Sequence, residues 1–180
     1  MRGKVLNALG YQVVWIASVL GAARGLAWAG PLASAAFACA VLATSPDPRA
    51  DARLLPIALA IGAFADSAWI AMGWISYDAA WPSDVFAPAW ILGLWASLAL
   101  TLNHSFAFLR ERLALAALLG AVGGPLAYWA ASRWGAVHLL TGDAWVYGSL
   151  GLAWALLFPA LAFAEGRRSR TIAAATRNAL

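Results

Sequence analysis

Apolar residues run along this chain in blocks too long for the interior of a small soluble domain, and polar residues gather in the short gaps between them. A helix rises about 1.5 Å per residue and the hydrocarbon core of a bilayer is about 30 Å thick, so roughly 20 apolar residues make one crossing. Six stretches approach or reach that length: residues 5–23, 26–44, 54–76, 86–109, 113–134 and 144–164. Ser45-Pro46-Asp47-Pro48 and Trp81-Pro82-Ser83-Asp84 mark two of the gaps, because neither can continue a helix. The pattern predicts an all-α fold, a polytopic transmembrane bundle of six helices over residues 1–166, followed by a basic cytoplasmic tail over 167–180.

The first stretch follows a basic Met1-Arg2-Gly3-Lys4 start, with Ala27-Trp28-Ala29 behind it, which is the outline of a cleaved signal peptide. Asn7 and Gln12 interrupt it and a second apolar stretch follows at once, so it reads instead as an uncleaved spanning helix. Charge then sets the orientation. With both termini cytoplasmic, ten of the twelve Arg and Lys residues fall on the inner side and only Arg24 and Arg133 on the outer. That asymmetry predicts an N-in/C-in protein of the bacterial cytoplasmic, or inner, membrane.

Composition narrows the function. The 180 residues are 63% hydrophobic and 11% charged, with a mean hydropathy of +0.75, which excludes a domain with a conventional water-facing surface. The net charge of +4 comes from residues at segment ends, where they serve topology, so no nucleic-acid partner is expected. Cys39 is the sole cysteine and Lys4 the sole lysine, leaving no internal disulfide, no thiolate metal cluster and no buried amine for a Schiff base. No metal and no cofactor are expected.

Asp66 stands near the middle of the third stretch, where a charge costs at least about 2.5 to 3.5 kcal/mol and has to find a partner inside the bundle. It has two readings, a functional acid or a hydrogen-bonding strut between helices. By helical spacing Gly62, Asp66, Trp69 and Gly73 share one face. In the fourth stretch Trp90, Gly93, Ser97, Thr101 and His104 line one side as a polar seam, with Asn103 off it; His138 lies towards the other membrane side, which argues against a bis-His haem. Gly120 and Gly124 in the fifth stretch have the spacing of a close helix contact, and Pro125, Tyr128 and Trp129 follow. Gly-Pro-Leu-Ala occurs at 30–33 and again at 124–127, either coincidence in a chain rich in Ala and Gly or the remnant of an inverted repeat.

Nine of the eleven tryptophans fall in outer halves or outer loops, with Arg24 and Arg133 on the same side. An aromatic belt should occupy both interfaces. The one-sided load has two readings: anchoring alone, or an outward-facing aromatic pocket whose partner is a membrane lipid or an amphiphilic small molecule. The candidate ligand-binding set is Asp66, Trp69, Trp90, Ser97, Thr101, Asn103, His104, Tyr128, Trp129, Arg24 and Arg133. Ala52-Arg53, Gly62 and Asp66 match only the back half of the CDP-alcohol phosphotransferase motif, and Ser45, Pro48 and Ile70 stand where that family needs aspartates.

YQVVWIASVLGAA at 11–23, the Gly62, Asp66 and Ser67 neighbourhood, PAWILGLWASLALTLNHSFAFL at 88–109 and GAVGGPLAYWAASRWGAV at 120–137 resemble a family of small bacterial inner-membrane proteins known as a domain of unknown function. Its most specific piece is Leu94-Trp95 followed by Thr101-Leu102-Asn103-His104-Ser105. The resemblance implies a lipid role and lipid-modifying enzymes as partners, through gene neighbourhoods that include cyclopropane-fatty-acid synthase-like methyltransferases; it carries over no catalytic residues. Trp81-Pro82 and Phe86-Ala87-Pro88-Ala89-Trp90 ahead of Leu94-Trp95 are similar to the tryptophan-rich sensory, or translocator, proteins, but their Gln-Leu-x-Leu-Asn-x-x-Trp element is missing. The leading expectation is a non-enzymatic protein that binds or handles a lipid or other amphiphile. The alternatives are a proton-coupled small-solute transporter switched by Asp66, and a membrane enzyme or subunit in lipid modification. From the charge count, reporter fusions at Ala50 and after Arg177 are expected to report the cytoplasm and one near Asp84 the periplasm; the opposite signal at any of the three breaks the six-crossing topology.

Overall fold

A computed structural model describes the backbone of residues 2–178 and the side chains of residues 2–164. It contains α1 (Arg2–Ala22), α2 (Ala29–Thr44), α3 (Pro48–Ala71), strand β1 (Ile75–Tyr77), α4 (Ala89–Ala99), a 3-10 helix (Ala107–Glu111), α5 (Leu113–Arg133), strand β2 (Val137–Leu139) and α6 (Asp143–Asn178). Four helices, α1, α3, α5 and the 143–164 part of α6, are long and apolar enough to cross a membrane. Their exteriors carry exposed Phe64, Leu118, Leu152 and Leu156, the reverse of a water-facing surface. This is the build of a membrane protein. The helix α2, with 16 residues, rises about 24 Å, and α4, with 11, only about 16 Å.

The boundaries of α3 differ from the expected 54–76 at both ends. Asp47 caps its start by accepting the Ala50 N–H at 3.0 Å, and Pro48 takes the first helical position, where a missing N–H costs nothing. Past its end, Gly73 adopts φ +68, a left-handed turn that a side chain resists. Gly73 therefore lies beyond the helix and not on the Asp66 face. The chain enters β1, which pairs antiparallel with β2 through Ile75 with Leu139, Ser76 with His138 and Tyr77 with Val137. Alternation buries Ile75 and Tyr77 while Ser76 is only part-buried. Two strands of three residues carry too little alternation to stand out from the apolar blocks around them.

The larger departure is α4, which stops at Ala99 although the apolar stretch continues to 109. After it the chain is held by tighter bonds: the Thr101 N–H donates to Leu98 O at 2.9 Å and the Thr101 hydroxyl to the same carbonyl at 2.6 Å. Asn7 on α1 then repairs the break, donating to Leu100 O at 3.4 Å and accepting the Ser105 N–H at 3.3 Å and its hydroxyl at 2.7 Å. Backbone groups freed from a helix need such partners where water is scarce. Thr101 and His104 are thus not on a continuous helical face with Trp90, Gly93 and Ser97.

Glycines set how closely the helices approach. The helix α1 packs on α2 and α4, α3 on α4, and α5 on α6. A Cβ at Gly62 would lie 2.3 Å from Trp95, and one at Gly124 2.3 Å from Trp154. Gly120 meets the Trp154 backbone, so the Gly120 and Gly124 pair serves the approach of α6. Gly30, in the other Gly-Pro-Leu-Ala, meets Trp90 instead. The surroundings are not repeated, because α1 packs closely on α2 whereas α4 has no comparable packing on α5. Adjacent glycines make a controlled test: Gly124→Ala is expected to destabilise the bundle by about 1 to 3 kcal/mol, while Gly123→Ala, with open space around it, is expected to be neutral or stabilising in the same thermal melts.

Candidate functional site

Asp66 is fully buried, at 0% exposure, on the face of α3 that α4 covers. Three side chains donate to its carboxyl group. The Tyr77 hydroxyl reaches Oδ1 at 2.5 Å, the Tyr128 hydroxyl donates to the same oxygen, and Trp95 Nε1 reaches Oδ2 at 2.7 Å. The donors come from β1, α5 and α4, so one carboxyl joins four elements. Burial pushes the Tyr77 phenol well above its ordinary range, and the adjacent carboxylate adds to the shift, which keeps this group outside the helices a donor.

Rings hold the donors in place. Trp69 lies edge-on to Tyr128 with centroids 5.7 Å apart, and Trp90 edge-on to Tyr77 at 5.7 Å. Trp95 stacks on Trp154 at 4.5 Å and 9°, with Gly62 beneath one ring and Gly124 beneath the other. Trp90 Nε1 donates to Asp78 O at 3.0 Å, fixing the turn after β1. Asp66, Trp69, Trp90 and Tyr128 of the expected set therefore come together. Tyr77 and Trp95, which complete the cage, were outside that set. Tyr77 falls one residue past the stretch expected to end at 76, where no element was predicted, and Trp95 lies off the seam through Trp90, Gly93 and Ser97.

The rest of the expected set lies elsewhere. Ser97 is buried without a hydrogen-bond partner among the described residues. Asn103 and His104 converge on a second buried acid: Asn103 Nδ2 donates to Asp51 Oδ1 at 2.9 Å, and His104 Nε2 lies 3.0 Å from Oδ2. Arg110 Nη1 donates to Asn103 Oδ1 at 3.1 Å. With the helix ended, residues expected on different faces meet on one carboxyl group. Asp51 was missed by sequence reasoning because its stretch was taken as loop, although Asp47-Pro48 is the start signal that would have placed it in the first turn of a helix.

Trp129 and Arg133 border an open recess of about 350 Å³ with Ser132, His138, Asp143 and Tyr147. His138 Nε2 lies 2.9 Å from Asp78 Oδ1 nearby. Arg24 is not among the lining residues; from the turn after α1 it donates to Leu20 O in the last turn of that helix at 3.3 Å. A larger cavity of about 430 Å³ forms a groove beside α1 and α5, lined by residues that include Tyr11, Trp15, Phe106, Ala127, Trp154 and Phe158. A smaller cavity of about 50 Å³ shares Tyr11, Trp15, Leu98, Ala127 and Trp154 with it and reaches Trp95 and Tyr128. Asp66 lines neither of them.

Residues 4–160 match the family model described as Protein of unknown function (DUF2878). The chain belongs to that family. The DUF2878 match covers the Asp66 cage, the Asp51 cluster and both cavities. No curated protein and no solved structure matches the chain, so no named relative supports the likeness to the tryptophan-rich sensory proteins.

The cage predicts an order of damage. An Asn at position 66 can turn its oxygen to Trp95 and donate its N–H groups to the two phenol oxygens, whereas Leu leaves all three donors unpaired. Asp66→Asn is expected to lose less than about 1 kcal/mol and Asp66→Leu about 2 kcal/mol in unfolding measurements on the purified protein. Equal losses in both variants would show that the hydrogen bonds carry none of the stability.

Proposed function

We propose that this protein is a six-crossing component of the bacterial inner membrane, with both termini in the cytoplasm, that binds a lipid or other amphiphile without chemical turnover. The helix α2 crosses as the shortest complete helix. The chain after α4 completes its crossing through the 100–106 turn and the 3-10 helix. Supporting the topology, Arg133, β1 and β2 gather at one end of the bundle, while the start of α1, Asp51 and Arg110 gather at the other.

The observation that carries the binding reading is the groove of about 430 Å³ with aromatic and aliphatic walls beside α1 and α5. Its size falls within the roughly 300–1,000 Å³ of ligand pockets. Val137 lines both the adjoining smaller cavity and the recess that holds Arg133 and Trp129, so β2 is the wall between an apolar space and a polar one. That juxtaposition suits a molecule with an apolar body and a polar end. The transporter and enzyme alternatives have less support, since Asp66 lines neither cavity and both of its oxygens already accept from protein donors.

Extraction of the protein in lipid nanodiscs and mass spectrometry of what remains bound is expected to find a specific lipid or amphiphile in stoichiometric amount. Gly123 lines the groove and has nothing within 4 Å of where a Cβ would stand. Gly123→Leu is expected to fill that space, keep the fold and lose the bound molecule. Unchanged content in the folded variant would sink the binding reading.

A further inference from the structure

The groove is apolar except at a few side chains, and three of them have hydrogen-bonding capacity that the protein leaves unused. Trp154 Nε1 is buried and has no partner. The Tyr11 hydroxyl and the Gln12 amide, on the α1 wall, make no hydrogen bond among the described residues. Trp154 has little freedom to turn towards a partner, because its ring is clamped between Gly124 and Trp95. A buried N–H left unpaired is costly, and hydrocarbon offers no water to relieve it.

Depth decides what kind of acceptor fits. Tyr11 stands nine residues after Arg2, the first residue of α1, and Trp154 eleven after Asp143, the first of α6, which places both about 14 to 16 Å along helices that cross a core of about 30 Å. The ester carbonyls of a phospholipid lie near the headgroup boundary, far from this level. A neutral ring that carries its own carbonyl oxygens and dissolves in the bilayer interior reaches it. Trp15, Phe106, Trp154 and Phe158 supply the flat apolar surfaces such a ring packs against.

We infer that the groove beside α1 and α5 is a binding site for a lipophilic quinone, with the Tyr11 O–H donating to a ring carbonyl, the clamped Trp154 indole serving as a flat wall and the aliphatic walls taking the tail. Gln12 supplies a further donor at the same level. This rests on the amphiphile-binding reading and sharpens it to a ligand class. The site binds the ring; no electron transfer is part of it.

The test uses the full chain in quinone-free nanodiscs, with decylubiquinone as probe and an alkylbenzene of equal chain length as the carbonyl-free control, bound amounts being read by extraction and chromatography. The quinone is expected to bind at least about tenfold more tightly than the control. Tyr11→Phe keeps the ring and removes the donor, and is expected to weaken quinone binding about five- to tenfold without changing binding of the control. The Tyr11→Phe, Gln12→Leu double variant is expected to lose more and to keep the fold, because neither side chain is hydrogen-bonded to the rest of the bundle among the described residues. Equal binding of quinone and control, or equal quinone binding in wild type and variants, overturns the quinone assignment. So does an acyl-ester lipid that displaces the quinone and takes over the sensitivity to the variants. If those results come with a lipid still lost in Gly123→Leu, the groove stands as a binding site and only the quinone assignment falls; if nothing is retained by wild type, both fall.

Discussion

A carboxyl group buried in the interior of a membrane protein is tolerable only when the protein replaces the water it gave up, and the core of this molecule is organised around doing so for Asp66. The replacement is two phenols and an indole, each from a different element. To bring them within reach, α4 must lie directly on α3 at Gly62, α5 must present Tyr128 inward, and the strand after α3 must double back to deliver Tyr77. Removing any one leaves the acid short of a donor and the donor short of an acceptor. The cage therefore fixes the relative placement of elements that a purely apolar interior would let slide, since lipid tails compete with side chains for apolar contact on nearly equal terms.

Much of this was legible before the structure. The apolar blocks gave α5 to within a residue, and the exceptional position of Asp66 marked it as buried and partnered. What escaped was everything that depends on distant partners. The end of α4 at Ala99 cannot be seen in the hydropathy of 86–109, because it is stabilised by Asn7, a residue 93 positions away from the carbonyl it bonds. Asp51 was overlooked for the complementary reason: in sequence it belongs to a charged gap, and only the early start of α3 and the arrival of Asn103 and His104 make it a buried group at 1% exposure. Tyr77 lay just past the stretch expected to end at 76 and turned out to be on a strand. Arg24 and Arg133 shared a membrane side in sequence, yet they do not meet, because side is a one-dimensional property and a pocket is not.

The two buried acids divide the labour of the polar residues. Asp66 and Asp51 sit towards opposite ends of α3, and each gathers donors from elements far away in the chain. Much of the side-chain hydrogen bonding of the interior is gathered in these two places and around Asn7. The unspent donors of Trp154, Tyr11 and Gln12 stand out against these clusters, for they lie beside a cavity.

The break after α4 also bears on how the molecule is made. An isolated segment with an 11-residue helix and a polar turn exposes carbonyl and amide groups that neither lipid nor its own backbone satisfies. Such a segment has no stable resting place alone in the bilayer. Its partners, Asn7 and Asp51, lie in α1 and α3, which precede residues 100–106 in the chain and so leave the ribosome earlier. Tyr128 comes later still. Assembly from the amino-terminal side thus lets the Asp51 cluster close first and receive the interrupted segment, whereas the Asp66 cage stays incomplete until α5 arrives, so that synthesis order and fold are written into the same few side chains.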